Sequence, residues 1–272
     1  FDLVPFVPDW RFDDLMVSFA APGGGVGPHR DNYDVFLCQG IGQREWHVTL
    51  EDVPNDPGAS DDLALTHEFA GASYSAREGD VLYLPPGAAH WGTAGRACLT
   101  YSIGMRAPQF SDLTEQLPDA ENSNPFYADP DLAVDEAVPG YIDPRAAERA
   151  LKLLDTSADQ FATIARSLGR YVTETKDWIT PDKPDAVEVE GARDSLARGG
   201  ALNVHGMARI AWDDANVYVN GRSRSLPAGM SRLLEEVCRH RRLAGTSARV
   251  PEARETILWM LEAGGFEIPG NS

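Results

Sequence analysis

One stretch restricts the fold of this chain more than any other: GDVLYLPPGAAHWG, residues 79–92. Gly79 opens an apolar run of strand character, and Pro85-Pro86-Gly87 ends it in a tight turn. Proline presets one turn dihedral and glycine accepts the next, so the chain reverses here. His90, three residues after Gly87, is carried back by that reversal.

The flanking sequence agrees. DDLMVSFAA, YDVFLCQG, REWHVTL and ACLTYSIGM are short runs rich in Val, Leu, Phe, Tyr and Trp, separated by Gly, Pro, Asn and Asp. Many short strands at this spacing predict a sandwich or barrel over residues 1–106, not alternating β/α units. The G-x5-P-x-G-x2-H spacing resembles the second motif of cupin barrels, in which the turn points the histidine into the barrel mouth.

A second stretch, GGGVGPHRDNYDVFLCQG at residues 23–40, holds His29 and Asp31. Alone, a His-x-Asp triplet where a loop enters a strand says little. Along an extended segment, however, the two side chains share a face, and His90 from a neighbouring strand would complete two histidines and one carboxylate. Such a set leaves adjacent coordination positions open and suits non-haem Fe(II). Two open positions can chelate a 2-oxo acid and another can receive O2. The other histidines fit less well. Alternation with Trp46 and Val48 turns His47 outward, and His67, His205 and His240 lack partners at ligand spacing.

In QREWHVTL, Arg44 shares a face with Trp46, Val48 and Leu50, which predicts that it points inward. A buried guanidinium without a partner is costly. The far carboxylate of a dicarboxylate cosubstrate would accept two parallel hydrogen bonds from it; the alternative is a strand-end arginine reaching back to water. In ACLTYSIGM, Cys98, Thr100, Ser102 and Gly104 form a face of small side chains that leaves room for a ligand, and the Ser102 hydroxyl can bond the same carboxylate.

Past Pro108 the character changes. Ser111 is a candidate helix cap, and Asp143-Pro144 is a clearer helix start. Phe161, Ile164, Ala165, Leu168 and Val172 recur at helical spacing, a stripe that serves either as core or as a dimer face. TPDKPD, residues 180–185, reads as a linker. A helix over 187–198 closes at Gly199-Gly200, paired strands follow, then helices over 231–243 and from Pro251 to Gly264-Gly265, in the manner of a winged helix. The run Arg239, His240, Arg241, Arg242 could touch nucleic acid, but basic residues in a last helical turn also complement the helix dipole, the simpler explanation.

No apolar run approaches the roughly 18 residues of a membrane span. The three cysteines, Cys38, Cys98 and Cys238, are far apart and lack zinc-site spacing, consistent with free thiols in a reducing cytoplasm. The net charge of −18, from 42 acidic and 24 basic residues, makes direct nucleic-acid binding unfavourable and suits a basic protein partner, although solubility accounts for it equally well.

The segments GGGVGPHRDNYDVFLCQGIGQREW, EGDVLYLPPGAAHWG and YSIGMRAP together resemble the JmjC-type bacterial ribosomal oxygenases, strongly over residues 15–108 and more weakly beyond. The resemblance implies a mainly β plus α protein: a double-stranded β-helix (cupin/JmjC) domain over 1–108, its N-terminal part expected to be missing since the chain begins at Phe1; a helical dimerisation region over 109–182; and a winged-helix-like domain over 183–272. It implies Fe(II) held by His29, Asp31 and His90, 2-oxoglutarate held by Arg44 and Ser102, and O2 as the second cosubstrate. The implied reaction is hydroxylation of an arginine side chain in the sixteenth protein of the large ribosomal subunit, coupled to oxidative decarboxylation of 2-oxoglutarate to succinate. A homodimer acting in the cytoplasm is implied as well. Tyr33 and Asp34, just after the ligand pair, are candidate substrate contacts. Two other readings stand beside this one: a 2-oxoglutarate oxygenase for another target, such as a histidine, and a non-catalytic cupin regulator.

Overall fold

The computed structural model describes residues 7–59, 63–114, 126–128, 138–153, 160–176, 181, 183–245 and 251–267. The chain divides into two compact units, Arg11–Ala107 and Phe1–Trp10 with Pro108–Ser272.

The first unit is built from β1 (Phe12–Ala20), β2 (His29–Arg30), β3 (Val35–Ile41), β4 (Gln43–Thr49), β5 (Ala72–Arg77), β6 (Val81–Leu84), β7 (Ala89–Ala94) and β8 (Cys98–Met105). These strands form two four-stranded antiparallel sheets, ordered β1-β8-β3-β6 and β2-β7-β4-β5. Alternate side chains face inward. Val35, Leu37 and Leu84 of one sheet meet Trp46, Ala76 and Ala88 of the other in a common core. This is the double-stranded β-helix arrangement expected from the sequence.

The PPG turn behaves as its residues require. Ala88 N donates to Pro85 O at 3.2 Å, and Gly87 takes φ +80°, a conformation costly for a residue with a Cβ. Gly87 N also donates to Asp31 O at 2.7 Å, tying the turn to the segment that carries the first triplet.

Two features differ from the sequence reading. β5, ASYSAR, is a mostly exposed edge strand without an apolar alternation, so nothing in its composition marks it. β4 ends at Thr49, which leaves Leu50 76% exposed and outside the inward face assigned to it.

The second unit contains α1 (Phe110–Thr114), α2 (Pro144–Leu153), α3 (Phe161–Thr173), α4 (Ala186–Ala197), β9 (Ala201–Asn203), β10 (Ile210–Trp212), β11 (Asn216–Val219), β12 (Arg222–Ser225), α5 (Ser231–His240), β13 (Arg242–Ala244) and α6 (Pro251–Glu262). The stripe on α3 is core: Ile164, Leu168 and Val172 pack with Trp10, Tyr127, Ile142, Ala146 and Ala150. Those three side chains are therefore spent inside the unit, while Phe161 and Ala165 of the same stripe stay partly exposed. At α4, Asp185 accepts hydrogen bonds from Val187 N and Glu188 N while Glu188 reaches back to Asp185 N, a complete capping box.

Strands β10-β11-β12 and the pair β13-β9 surround a core that includes Leu202, Val217, Val219, Leu234, Val237, Ile257 and Leu261. Helix α5 stops at His240, earlier than the basic run suggests. Arg241 sits at φ +50°, and Arg242–Ala244 turn away to pair with β9. Arg239 pairs with Glu235 at 2.8 Å, and Arg241 donates to the carbonyls of His205 and Ala208. Only Arg239 and His240 of this run occupy a last helical turn.

Candidate metal and cosubstrate site

Pairing of β2 with β7 sets His29 directly opposite His90, and pairing of β4 with β7 sets Val48 on the other side of His90. Asp31 follows the end of β2. As a result His29, Asp31 and His90 each present a potential ligand atom within 4.8 Å of the others. The two imidazole centroids are 4.2 Å apart.

The protonation pattern of this cluster follows from its hydrogen bonds. His29 Nδ1 lies 2.9 Å from Gly27 O, and His90 Nδ1 lies 3.0 Å from Ala88 O. A carbonyl only accepts, so each Nδ1 carries a proton, and in the neutral ring Nε2 then offers the lone pair. Burial, with smaller contributions from His29 and Arg44, pulls His90 down to about 4 and keeps it neutral at physiological pH. Its Nε2 then faces Asp31 Oδ2 at 3.7 Å with no proton to share. A cation between them would satisfy both atoms. The donor set, two imidazoles and one carboxylate, fits a divalent transition metal such as iron.

Arg44 points inward, as its position predicts, and is only 3% exposed. Its guanidinium lies 4.4 Å from the centroid of the Trp46 ring, and one terminal nitrogen donates to Gly92 O at 3.3 Å. Among the described residues its Nε has no hydrogen-bond partner. Burial lowers its pKa, although an arginine keeps its charge in proteins. Ala94 stands opposite Arg44 across the β4–β7 pairing and packs with Ala20 and Cys98, so the neighbouring side chains are small. Ser102 is half-buried on the inward face of β8, four residues along from Cys98, and its hydroxyl makes no hydrogen bond among the described residues. Thr100, between them, donates to Gln39 Oε1 at 3.2 Å, a buried polar pair that the sequence reading passes over.

The two candidate substrate contacts part company. Tyr33 bonds to Asp31, and its phenol is pushed up to about 12 by burial and then by Asp31, Asp14 and Asp13. A Cβ on Gly104 would lie 3.3 Å from Asp14 Oδ1 and 3.5 Å from the Tyr33 ring, so Asp14 and Tyr33 converge above that glycine. Asp34, in contrast, is buried: Oδ2 pairs with Arg11 at 2.9 Å and Oδ1 accepts from Tyr83 Oη at 2.6 Å. Both oxygens are thus engaged inside the barrel wall. Asp13 and Asp14 are the acidic groups near Tyr33 that the sequence reading misses. They come from β1, and only the register of β1 with β8, Asp14 opposite Gly104, brings them there.

The JmjC domain family matches residues 2–113, and the ROXA-like winged helix matches residues 156–264. The Escherichia coli K12 protein named ribosomal protein uL16 3-hydroxylase is 33% identical over 229 residues, covering 81% of this chain and 61% of that protein. A probable ribosomal oxygenase of Haemophilus influenzae is 41% identical over 141 residues, 48% of this chain and 32% of that one. The chain thus spans less than two thirds of either relative's length. Among solved structures, the E. coli ribosomal oxygenase YcfD in complex with cobalt and 2-oxoglutarate superposes with a TM-score of 0.65 at 28% identity, covering 97% of this chain and 72% of that one. Residues 2–113, which carry the His29, Asp31 and His90 cluster, match the JmjC domain family, residues 156–264 match the ROXA-like winged helix, and the chain as a whole is similar to ribosomal oxygenases.

Proposed function

We propose that this chain is an Fe(II)- and 2-oxoglutarate-dependent oxygenase that hydroxylates an arginine side chain of a large-subunit ribosomal protein. The observation that carries the reading is the convergence of His29, Asp31 and His90, whose ligand atoms lie within 4.8 Å of one another. His29, Asp31 and His90 would hold the metal. When bound, metal and cosubstrate together activate O2 and supply an oxidant strong enough for a C–H bond.

The chain's own residues prepare the site. Gly27 O and Ala88 O fix the histidine tautomers, and the Tyr33 phenol orients Asp31. Arg44, dry and stacked on Trp46, accounts for a dicarboxylate: a single charged donor in an apolar end of the barrel wants a planar, two-oxygen acceptor. Ser102 faces the same interior and would bond to the cosubstrate from the opposite sheet. Tyr33 and Asp14, with Asp13 close by, would hold a substrate guanidinium in register with the metal, and the net charge of −18 favours approach of a basic protein. A ribosomal substrate would place the enzyme in the cytoplasm; among the described residues no helix is long and apolar enough to cross a membrane. A homodimer remains part of the family resemblance, without support from the α3 stripe.

The test is incubation with Fe(II), 2-oxoglutarate and large-subunit ribosomal proteins, followed by mass spectrometry for one added oxygen and its position. Oxygen on an arginine supports the proposal. Oxygen on a histidine keeps the chemistry and replaces the target, and no oxidation with unconsumed 2-oxoglutarate rejects both. Arg44→Ala is expected to raise the KM for 2-oxoglutarate on the order of 10- to 100-fold with little change in Co(II) affinity, since one or two charge-assisted hydrogen bonds are lost.

A further inference from the structure

Two glycines from different segments close on Arg44. Gly92 lies in β7 opposite Trp46. A Cβ there would fall 2.6 Å from the Trp46 ring and 2.9 Å from Arg44 Nε. Gly25 belongs to the glycine run before His29. That run lies along β7: Gly23 N donates to Ala94 O at 2.8 Å, and Ala94 N donates to Gly24 O at 2.9 Å. A Cβ on Gly25 would fall 2.0 Å from Gly92 O, the same carbonyl that accepts from Arg44, and 3.6 Å from the terminal nitrogen that donates to it.

Packing of Trp46 alone would explain Gly92, but it would not explain Gly25, which touches the carbonyl and not the ring. Both absences converge on the guanidinium. Arg44 is 3% exposed and its Nε is unpartnered among the described residues, so the slot holds a buried cation with hydrogen-bonding capacity unused.

We infer that Gly25 and Gly92 are positioning residues for the cosubstrate: their missing side chains form the slot that keeps the Arg44 guanidinium flat on Trp46 and aimed at the far carboxylate. This rests on the reading of Arg44 given above. A methyl at position 92 turns the guanidinium off its stack. A methyl at position 25 displaces the Gly92 carbonyl that fixes one of its ends. Neither glycine is itself one of the candidate ligands His29, Asp31 and His90, so Co(II) affinity is read separately from the slot.

The experiment measures 2-oxoglutarate affinity of the Co(II)-loaded protein by calorimetry, Co(II) affinity by its visible absorption, and folding by circular dichroism, for Gly92→Ala, Gly25→Ala, Trp46→Leu and Arg44→Ala. The two glycine variants are expected to keep Co(II) affinity and to weaken 2-oxoglutarate binding about tenfold, the loss of one charge-assisted hydrogen bond. Trp46→Leu introduces no clash and removes the stacking face, so it tests the slot even where a glycine variant fails to fold; a several-fold weakening is expected. Wild-type 2-oxoglutarate affinity in a folded glycine variant, or in Trp46→Leu, overturns the inference. If Arg44→Ala weakens binding while the slot variants do not, the inference alone fails. If Arg44→Ala also binds normally, the assignment of Arg44 fails with it.

Discussion

Asp31→Ala is expected to abolish metal binding and, with it, 2-oxoglutarate turnover. Asp31 is the only anion in the cluster, and the other two members, His29 and His90, are imidazoles that bind metals in their neutral form. Without it the remaining pair, His29 and His90, offers two lone pairs and no charge to a divalent cation. Outer-shell partners alone are typically worth about 10- to 100-fold in metal affinity, so losing a direct carboxylate ligand should cost on the order of 100-fold or more. Folding should survive, because Asp31 is partly exposed and the Tyr33 phenol that bonds to it can turn to water. Titration with Co(II) or Fe(II), with circular dichroism as the folding control, gives the result directly. Metal affinity and turnover that match the parent protein in a folded Asp31→Ala variant would exclude the cluster as the iron site.

The metal cluster and the buried arginine are readable in the sequence because each depends on local rules. Period-two alternation places His29 with Asp31 and turns Arg44 inward beside Trp46, and the PPG turn dictates where His90 emerges. What escapes is set by register between distant strands. Asp14 reaches Tyr33 only because β1 pairs with β8 so that Asp14 stands opposite Gly104, and no spacing in the sequence encodes that pairing. The partners of Asp34 escape for the same reason: Arg11 and Tyr83 lie on other strands or at the edge of the unit. β5 is silent because an exposed edge strand needs no apolar face. In the winged-helix region, tertiary pairing overrides local propensity: the run RHRR reads as helix, yet Arg242–Ala244 gain more by pairing with β9 than by extending α5. The α3 stripe shows the reverse limit, since periodicity finds an apolar face and cannot say what covers it.

The buried pair Arg11–Asp34 should dominate the stability of the barrel unit. Arg11 is fully buried; its Nε donates to Arg106 O at 2.9 Å and its terminal nitrogen meets Asp34 Oδ2 at 2.9 Å. Arg106 N donates in return to Arg11 O, and Met105 N donates to Asp34 O at 3.0 Å. One ion pair thus fastens the start of β1, the end of β8 and the entry to β3. Asp34→Asn nearly preserves shape and can still accept from Tyr83, but it leaves a guanidinium buried without its counter-charge. Removing one partner of a buried pair typically costs about 3–5 kcal/mol, and a loss of that size in denaturant unfolding is the expected result. The double variant Arg11→Met/Asp34→Leu should recover most of it, because desolvation of both charges disappears together. Turnover per folded molecule should be nearly unchanged in Asp34→Asn, whereas Asp14→Asn should keep stability and lose turnover. An Asp34→Asn protein as stable as the parent but deficient in substrate turnover would return Asp34 to the substrate site and remove it from the wall.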